Sequence, residues 1–592
     1  MAPSAEGSAN GAPTPDDLKL HEVSQKYTAE VAKRLRPDGL SQFIRLKEVG
    51  DERLRALAED PWADHAALNA KEPVKDGSKY KFIVLGAGYG GLLYAVHLVE
   101  AGLVSGPDDL LMIDSAGGFG GTWWWNRYPG LHCDVESYAY MPLLEETGYI
   151  PRYKYAPGPE LLEHAYRIAD QWNLNDKALF RTSVKTIRWD DETRLWTLEA
   201  TEGRGPEQQN RELKLQARYV LLAGGILTTP QIPKIPGLET FAGDLFHTAR
   251  WNYQVTGGSP TNEALTRLRD KRVGILGTGA TAIQAVPKLA LYAKELYVFQ
   301  RTPSGVRSRG QRPTDPVEWK TKIARKKGWQ RERMMNLDTW TTGAAEEGLE
   351  NMLKAWYPTW CKRPTFSDEY LEVFNLPNVH LVDTDGKGVD AANPNGLVVA
   401  GKEYPLDILI LSTGYISPGI GGGSPAQRSG VGIYGRGGKS LDDKWQNHGA
   451  ATLHGMCTNG YPNLFFHPVG QSAQAANNVF TLDVNAEHIV HVIKTAENRV
   501  GGEAIVEVTS EAEEAWSSEV MKHAAWYAAV AGCTPGYINL EGEAARQSDD
   551  PAEMARKARG SNLSRGIQSY MKILEEYRAE GSLKGIEVTS RT

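Results

Sequence analysis

The chain has 592 residues, which at about 150 residues per domain predicts three to four domain-sized units. Hydrophobic residues make up 41% and charged residues 23%, ordinary values for a folded globular chain, so wholesale disorder is excluded. Sixty-six Lys and Arg against 73 Asp and Glu leave a net charge of −7, with no electrostatic footprint for nucleic acid or an anionic membrane surface.

Residues 1–16 are rich in Ala, Ser, Gly and Pro and are expected to form an unpacked tail without the apolar core of a secretory signal. From 18 to about 60 the apolar residues take helical spacing, with Val23, Tyr27, Val31 and Leu35, then Leu40, Phe43 and Ile44. Pro37 and Gly39 break the first helix. The reading is an N-terminal helical extension over 1–78 that adds surface coverage, not chemistry.

At Lys79 the texture changes. Tyr80-Lys81-Phe82-Ile83-Val84-Leu85 reads as a buried strand, Gly86-Ala87-Gly88-Tyr89-Gly90-Gly91 follows directly, 92–101 has helical character, and Leu110-Leu111-Met112-Ile113 is a second strand ending at Asp114. The unit recurs. Arg272-Val273-Gly274-Ile275-Leu276 runs into Gly277, Thr278, Gly279, Ala280, Thr281 and Ala282, then a helix to about Ala293 carrying Ile283 and Gln284, and a strand 296–300 ending at Arg301 and Thr302. Further short strands end in glycine turns at Gly224-Gly225 and Gly414. The glycine-heavy stretch 417–440 is either a mobile loop over a site or an ordered backbone-rich turn.

Four cysteines, Cys133, Cys361, Cys457 and Cys533, lie 228, 96 and 76 residues apart. That spacing predicts neither a metal motif nor a disulfide framework, and it points to a reducing, cytoplasmic compartment. No apolar run approaches the ~18 residues of a membrane span; the longest candidate, 524–533, is about half of it.

The two glycine motifs carry opposite charges at their second strands. In the first, Gly86 makes the tight turn, Gly88 admits a pyrophosphate to backbone N–H groups, and Gly91 lets helix and strand pack closely. Asp114, 23 residues after Gly91, can accept hydrogen bonds from both ribose hydroxyls, which favours an adenosine with a free 2′-OH. In the second, Arg301 stands 19 residues after Ala282, where a guanidinium gains charge-assisted hydrogen bonds from a 2′-phosphate. The first site is therefore assigned to FAD and the second to NADPH, in an α/β protein with two Rossmann-like dinucleotide-binding domains. The boundaries are 79–235 for the first part of the FAD domain, 236–390 for the NADP domain, and 391–592 for the second part of the FAD domain with substrate-lining loops.

Two longer stretches carry a family resemblance. Gly120-Gly121-Thr122-Trp123-Trp124-Trp125-Asn126-Arg127-Tyr128-Pro129-Gly130-Leu131-His132-Cys133-Asp134 and Phe241-Ala242-Gly243-Asp244-Leu245-Phe246-His247-Thr248-Ala249-Arg250-Trp251-Asn252 resemble the two fingerprints of type I (class B) Baeyer–Villiger monooxygenases. The second departs at Asn252, where the family usually has Pro or Asp. Trp360-Cys361-Lys362-Arg363-Pro364 looks like the segment in which the family carries its catalytic arginine, and the resemblance spans roughly 79–540.

The resemblance implies an NADPH- and O2-dependent flavoprotein that inserts oxygen next to a ketone carbonyl to give an ester or lactone, through a flavin peroxide stabilised by Arg363. It places Asp134 as the partner that orients Arg363, His247 as a joint between the nucleotide domains, and Lys362 on the 2′-phosphate. Thr122, Trp123, Trp124, Trp125 and Tyr140 should line the flavin alongside Asp134. Thr278 to Gln284 should cradle the pyrophosphate, and His132 and Cys133 should sit near the nicotinamide. Gln471 to Asn478 should approach the flavin or the substrate. No metal, nucleic acid, membrane or protein partner is expected. The extension and Cys533-Thr534-Pro535-Gly536-Tyr537-Ile538-Asn539 resemble the branch acting on large-ring or polycyclic ketones, with linear ketones left open; the 417–440 loop and Trp526-Tyr527 could shape the pocket. A heteroatom oxygenase and a flavin–nicotinamide reductase are the competing readings.

Overall fold

Lys79–Leu85 and Arg211–Leu222 are buried and apolar toward the ends where they pair, which suits strands covered on both faces. They run parallel, Phe82 opposite Tyr219 and Leu85 opposite Leu222. An eight-stranded sheet forms around them in the order Gly432–Tyr434, Thr182–Asp190, Leu195–Glu202, Arg211–Leu222, Lys79–Leu85, Leu110–Ile113 and Ala178–Leu179, with Leu464–Phe466 also paired to Arg211–Leu222. The helix Tyr89–Glu100 makes the crossover between Lys79–Leu85 and Leu110–Ile113. It packs on the helix Asn478–Val500, where His97 Nε2 meets Asp483 Oδ1 at 2.8 Å. The computed structural model describes residues 15–44, 46, 49–225, 227, 229–343, 357, 361–417, 423–467, 470–524, 533–545, 548 and 550–591.

A second, wholly parallel sheet has the order Val379–Asp383, Glu295–Gln300, Arg272–Leu276, Ile408–Leu411 and Asp244–His247. The helix Ala280–Ala290 covers it through the fully buried Ala282, Ile283, Val286 and Leu289. Ile408–Leu411 therefore extends this sheet beyond the boundary at 390 read from the sequence. The antiparallel strands Ala391–Asn393, Gly396–Val399 and Lys402–Pro405 form a small sheet inserted before it. Among the described residues, no helix is long and apolar enough to cross a membrane.

The extension differs from its sequence pattern. Its first helix, Pro15–Arg34, stops before Pro37 as expected, but Leu40, Phe43 and Ile44 do not continue as a helix. Gly39 takes φ +46, a 3-10 turn covers Gly39–Gln42, and Phe43–Ile44 pairs antiparallel with Ile232–Pro233. The short apolar pair gains sheet partners that a lone helical turn would not supply. Within 417–440 the described residues are ordered, with a helix at Pro425–Ser429 and a strand at Gly432–Tyr434. Trp360, Trp526 and Tyr527 lie outside the described residues.

Candidate active site

At the end of Lys79–Leu85 the chain turns in a space that excludes side chains. Gly86 has φ +117, and a Cβ there would lie 2.8 Å from the Ala223 carbonyl oxygen. A Cβ on Gly91 would stand 1.8 Å from the Gly86 carbonyl oxygen, so the helix packs against the turn only because that position is bare. Gly88 caps the helix Tyr89–Glu100, its Cβ position 3.2 Å from the Cα of Gly121 in the first fingerprint. Asp114 stands beside this turn, with Oδ2 accepting from the Ala87 N–H at 2.6 Å and Oδ1 from the Ala116 N–H at 2.8 Å. Burial pushes its carboxyl pKa up against those hydrogen bonds. A carboxylate has about four lone-pair positions, so acceptor capacity for ribose hydroxyls is left over.

The first fingerprint divides into two environments. Trp123 packs edge-on against Tyr140, ring centroids 5.6 Å apart. Trp124 instead donates from Nε1 to Asp60 Oδ2 of the extension at 2.8 Å, and Arg127 lies 4.4 Å over its ring. Trp125 carries Arg250 at 4.0 Å, and Arg250 Nε donates to the Glu59 carbonyl. The extension thus clasps Trp124 and Trp125, while Trp123 faces Tyr140. Thr122 opens the turn Thr122–Trp125 and accepts on Oγ1 from Asn126 Nδ2 at 3.2 Å.

Asp134 sits where the second half of the fingerprint meets three other elements. Arg363 Nη2 lies 3.0 Å from Asp134 Oδ2, so the expected pair is brought together. Gln284 Nε2 donates to Asp134 Oδ1 at 3.0 Å, and Arg309 Nη2 approaches the same oxygen at 3.6 Å. The Asp134 side chain is 7% exposed, that of Arg363 44%. Asp134 raises the pKa of the Arg363 guanidinium above the ordinary arginine value, so it stays charged. Cys133, Tyr140 and Tyr537 complete the surroundings of Arg363. Burial raises the Cys133 thiol to about 12 and lowers the His132 imidazole, so both are neutral near pH 7. Arg309 is the member that the sequence did not disclose: it lies 175 residues from Asp134 in no recognisable motif.

In the second nucleotide unit Gly277 has φ +113, and a Cβ on Gly279, which caps Ala280–Ala290, would meet open space. Thr278 Oγ1 donates to the Thr302 carbonyl at 2.9 Å, locking the glycine turn to the end of the next strand. Tyr128 hydrogen-bonds Thr281, while Ala282 and Ile283 are wholly buried in the sheet's cover. Gln284 turns away from the glycine turn toward the fingerprint. Its Oε1 accepts from the His132 N–H and the Tyr128 hydroxyl, and its Nε2 donates to the His132 carbonyl as well as to Asp134.

Arg301 Nη2 lies 3.0 Å from Glu541, and its Nη1 donates to Gln42 Oε1 at 3.1 Å. Lys362 Nζ donates to the Pro535 carbonyl at 2.9 Å. Burial, with the nearby Arg301 and Arg34 charges, lowers Lys362 to about 8. A cluster of cations that brings Arg301 and Arg34 close to Lys362 is suited to a polyanion.

His247 ends Asp244–His247 opposite Leu411. Its Nδ1 accepts from the Ala249 N–H at 3.1 Å, and its buried Nε2 has no hydrogen-bond partner among the described residues. Burial and then Arg250 lower it to about 3, so it is neutral, at the end of an edge strand of the second sheet. Gln471 bonds Thr452 Oγ1, the Ala450 carbonyl and Ser517, placing it in a buried structural network.

One expectation is corrected. Cys361 and Cys533, 172 residues apart, form a disulfide with a Cα–Cα distance of 5.1 Å. The fold brings the segment before Lys362 and Arg363 against the one before Pro535 and Tyr537, which cysteine spacing along the chain cannot register. The cysteines therefore give no support to a reducing compartment. Cys133 and Cys457 are free and buried. Among the described residues no cluster of His, Cys, Asp and Glu could hold a metal ion.

The donor sets fit the two cofactors: a bare glycine turn at a helix N-terminus with an acid for FAD, and an open glycine turn beside three cations for NADPH. No family model matches the chain. It is 74% identical to the polycyclic ketone monooxygenase of Thermothelomyces thermophilus, with 100% of both chains covered. The solved structure of the enzyme so named from Thermothelomyces thermophila superposes with a TM-score of 0.94 at 73% identity, over 98% of this chain and 100% of that one. An FAD-binding monooxygenase of Penicillium brasilianum is 40% identical over 96% of this chain and 97% of its own. A steroid monooxygenase bound to NADP matches with a TM-score of 0.66 at 25% identity, covering 86% of this chain and 100% of its own. The chain belongs to the type I Baeyer–Villiger monooxygenases, flavoproteins that use FAD and NADPH to insert an oxygen atom beside a ketone carbonyl.

Proposed function

We propose that the substrates are polycyclic ketones, converted to lactones or esters beside Arg363. The observation that carries the site is the Asp134–Arg363 pair: a guanidinium anchored at 3.0 Å by a buried carboxylate, with 44% of its own side chain left exposed. The substrate class is supported by the 74% identity to an enzyme named for polycyclic ketones. When bound, NADPH supplies a hydride and FAD the ring system on which dioxygen is activated.

The chain's own groups then have distinct tasks. Arg363 presents a permanent positive charge to negative charge developing beside it, since Asp134 strengthens its hold on its proton. Asp134, gripped by Gln284 and Arg309, sets the direction of that guanidinium. Cys133 remains a thiol and adds no competing anion, and His132 remains a neutral imidazole and adds no second cation. Tyr537, 38% exposed next to Arg363, offers a face against which a rigid hydrocarbon can lie.

The test is oxygen-dependent NADPH consumption with a fused-ring ketone, cyclohexanone, a linear ketone and a thioether, product mass being read for each. A one-oxygen gain that favours the fused-ring ketone supports the proposal. Preference for the linear ketone refutes the substrate class, and oxygenation confined to the thioether refutes the ketone site.

A further inference from the structure

The helix Pro15–Arg34 ends on the second nucleotide unit, far from it in sequence. Arg34 Nε donates to Thr302 Oγ1 at 2.9 Å and to the Arg301 carbonyl at 3.2 Å. Its Nη1 pairs with Glu30 one turn earlier, and its side chain is only 6% exposed. An extension that merely covered surface would have no reason to bury a guanidinium against the strand end that distinguishes the two nucleotide sites.

We propose that Arg34 is a specificity-determining residue for NADPH, completing from the N-terminal extension the subsite that reads the 2′-phosphate. The inference rests on the assignment of the second unit to NADPH and adds a residue to it. Three cations meet there from distant segments, Arg34, Arg301 and Lys362, and Glu541 pairs with Arg301. Glu30 is shared among Arg34, Lys26 and Lys33, so with Asp385 on Lys33 five cations stand against three acids, a surplus of 5 − 3 = 2 positive charges. A phosphate monoester bringing about −1.5 to −2 charge compensates that surplus. Arg34 also works through Thr302. By occupying a lone pair of Oγ1 it leaves the hydroxyl proton of Thr302 for donation, so the threonine is presented as a donor to an anion. NADH, which lacks the phosphate, makes no use of either effect.

Full-length holoenzyme with Arg34→Ala should lose about tenfold in the ratio of kcat/KM for NADPH to that for NADH, the loss lying in the KM for NADPH. Arg34→Lys should recover most of it. A binding readout independent of turnover is the affinity for 2′,5′-ADP against 5′-AMP by calorimetry, where Arg34→Ala should weaken only the former. Arg34→Gln, which keeps a donor toward Thr302 and removes the charge, serves if the alanine variant does not fold and should show the same selective loss. An unchanged ratio and unchanged 2′,5′-ADP affinity in a folded Arg34 variant overturn the proposal. Arg301→Ala separates the two levels: if it loses NADPH preference where Arg34 variants do not, Arg34 alone is wrong, and if it too changes nothing, the NADPH assignment of this unit fails with it.

Discussion

Arg363 and Lys362 are neighbours with opposite proton affinities. Asp134 makes Arg363 harder to deprotonate, and removing a fixed donor to developing charge costs about a hundred- to a thousandfold in comparable sites. Arg363→Ala is therefore expected to reduce its flavin with NADPH at near-normal rates in stopped flow while ester yield falls by about that factor. Lys362 is pulled to about 8 by burial and then by Arg301 and Arg34. It is protonated below that pH and loses its charge above it, so kcat/KM for NADPH should fall as pH rises through about 8. The profile for NADH should lack that limb, and Lys362→Met should abolish it for NADPH. At this scale the sequence was partly legible. The glycine turns and Asp114 announce themselves because the chemistry they serve is local in the chain. Asp134 and Arg363, 229 residues apart, were linked only by family resemblance. Arg34, Arg309 and Glu541 were not seen at all, since nothing in their neighbourhoods marks what the fold sets against them.

Among the elements, the strand–turn–helix–strand units followed from periodicity, because a covered parallel strand and its crossover helix have distinct apolar patterns. The connection between the arginine segment and the stretch 533–545 had no such signature. The Cys361–Cys533 bond ties the two, and beyond it Lys362 holds the Pro535 carbonyl while Glu541 holds Arg301. Cys361→Ser should release this stretch. The expected result is a severalfold higher KM for NADPH and a loss of stability of about 2–4 kcal/mol, read by kinetics and by denaturant unfolding. A variant that loses stability but keeps the wild-type KM would show that the bond serves the fold alone.

Over the whole molecule, burial has neutralised a set of histidines. His164 is lowered to about 4, and His247, His454 and His467 to about 3, in each case by desolvation first. Because the folded values lie below the unfolded value near 6.5, the unfolded chain binds more protons between these limits. Stability is then complete above about pH 6.5 and is lost as pH falls toward 3–4, by up to about 2 kcal/mol per histidine at pH 5. Melting temperature should hold between pH 7 and 8 and drop steadily below 6.5, with His454→Gln reducing the slope. Domain boundaries were the least legible feature, since Ile408–Leu411 joins a sheet begun at Asp244 and Phe43–Ile44 pairs with Ile232–Pro233. The Gln284 amide, meanwhile, spends all its hydrogen-bonding capacity on the loop that carries Asp134. Its helix begins at the phosphate turn and Gln284 stands one turn further in, so one rigid helix start serves both the nucleotide turn and the Asp134 loop. Added salt should loosen the grip on the nucleotide and screen the part-exposed Asp134–Arg363 pair, while the neutral Gln284 bonds to Tyr128 and His132 hold their loop in place.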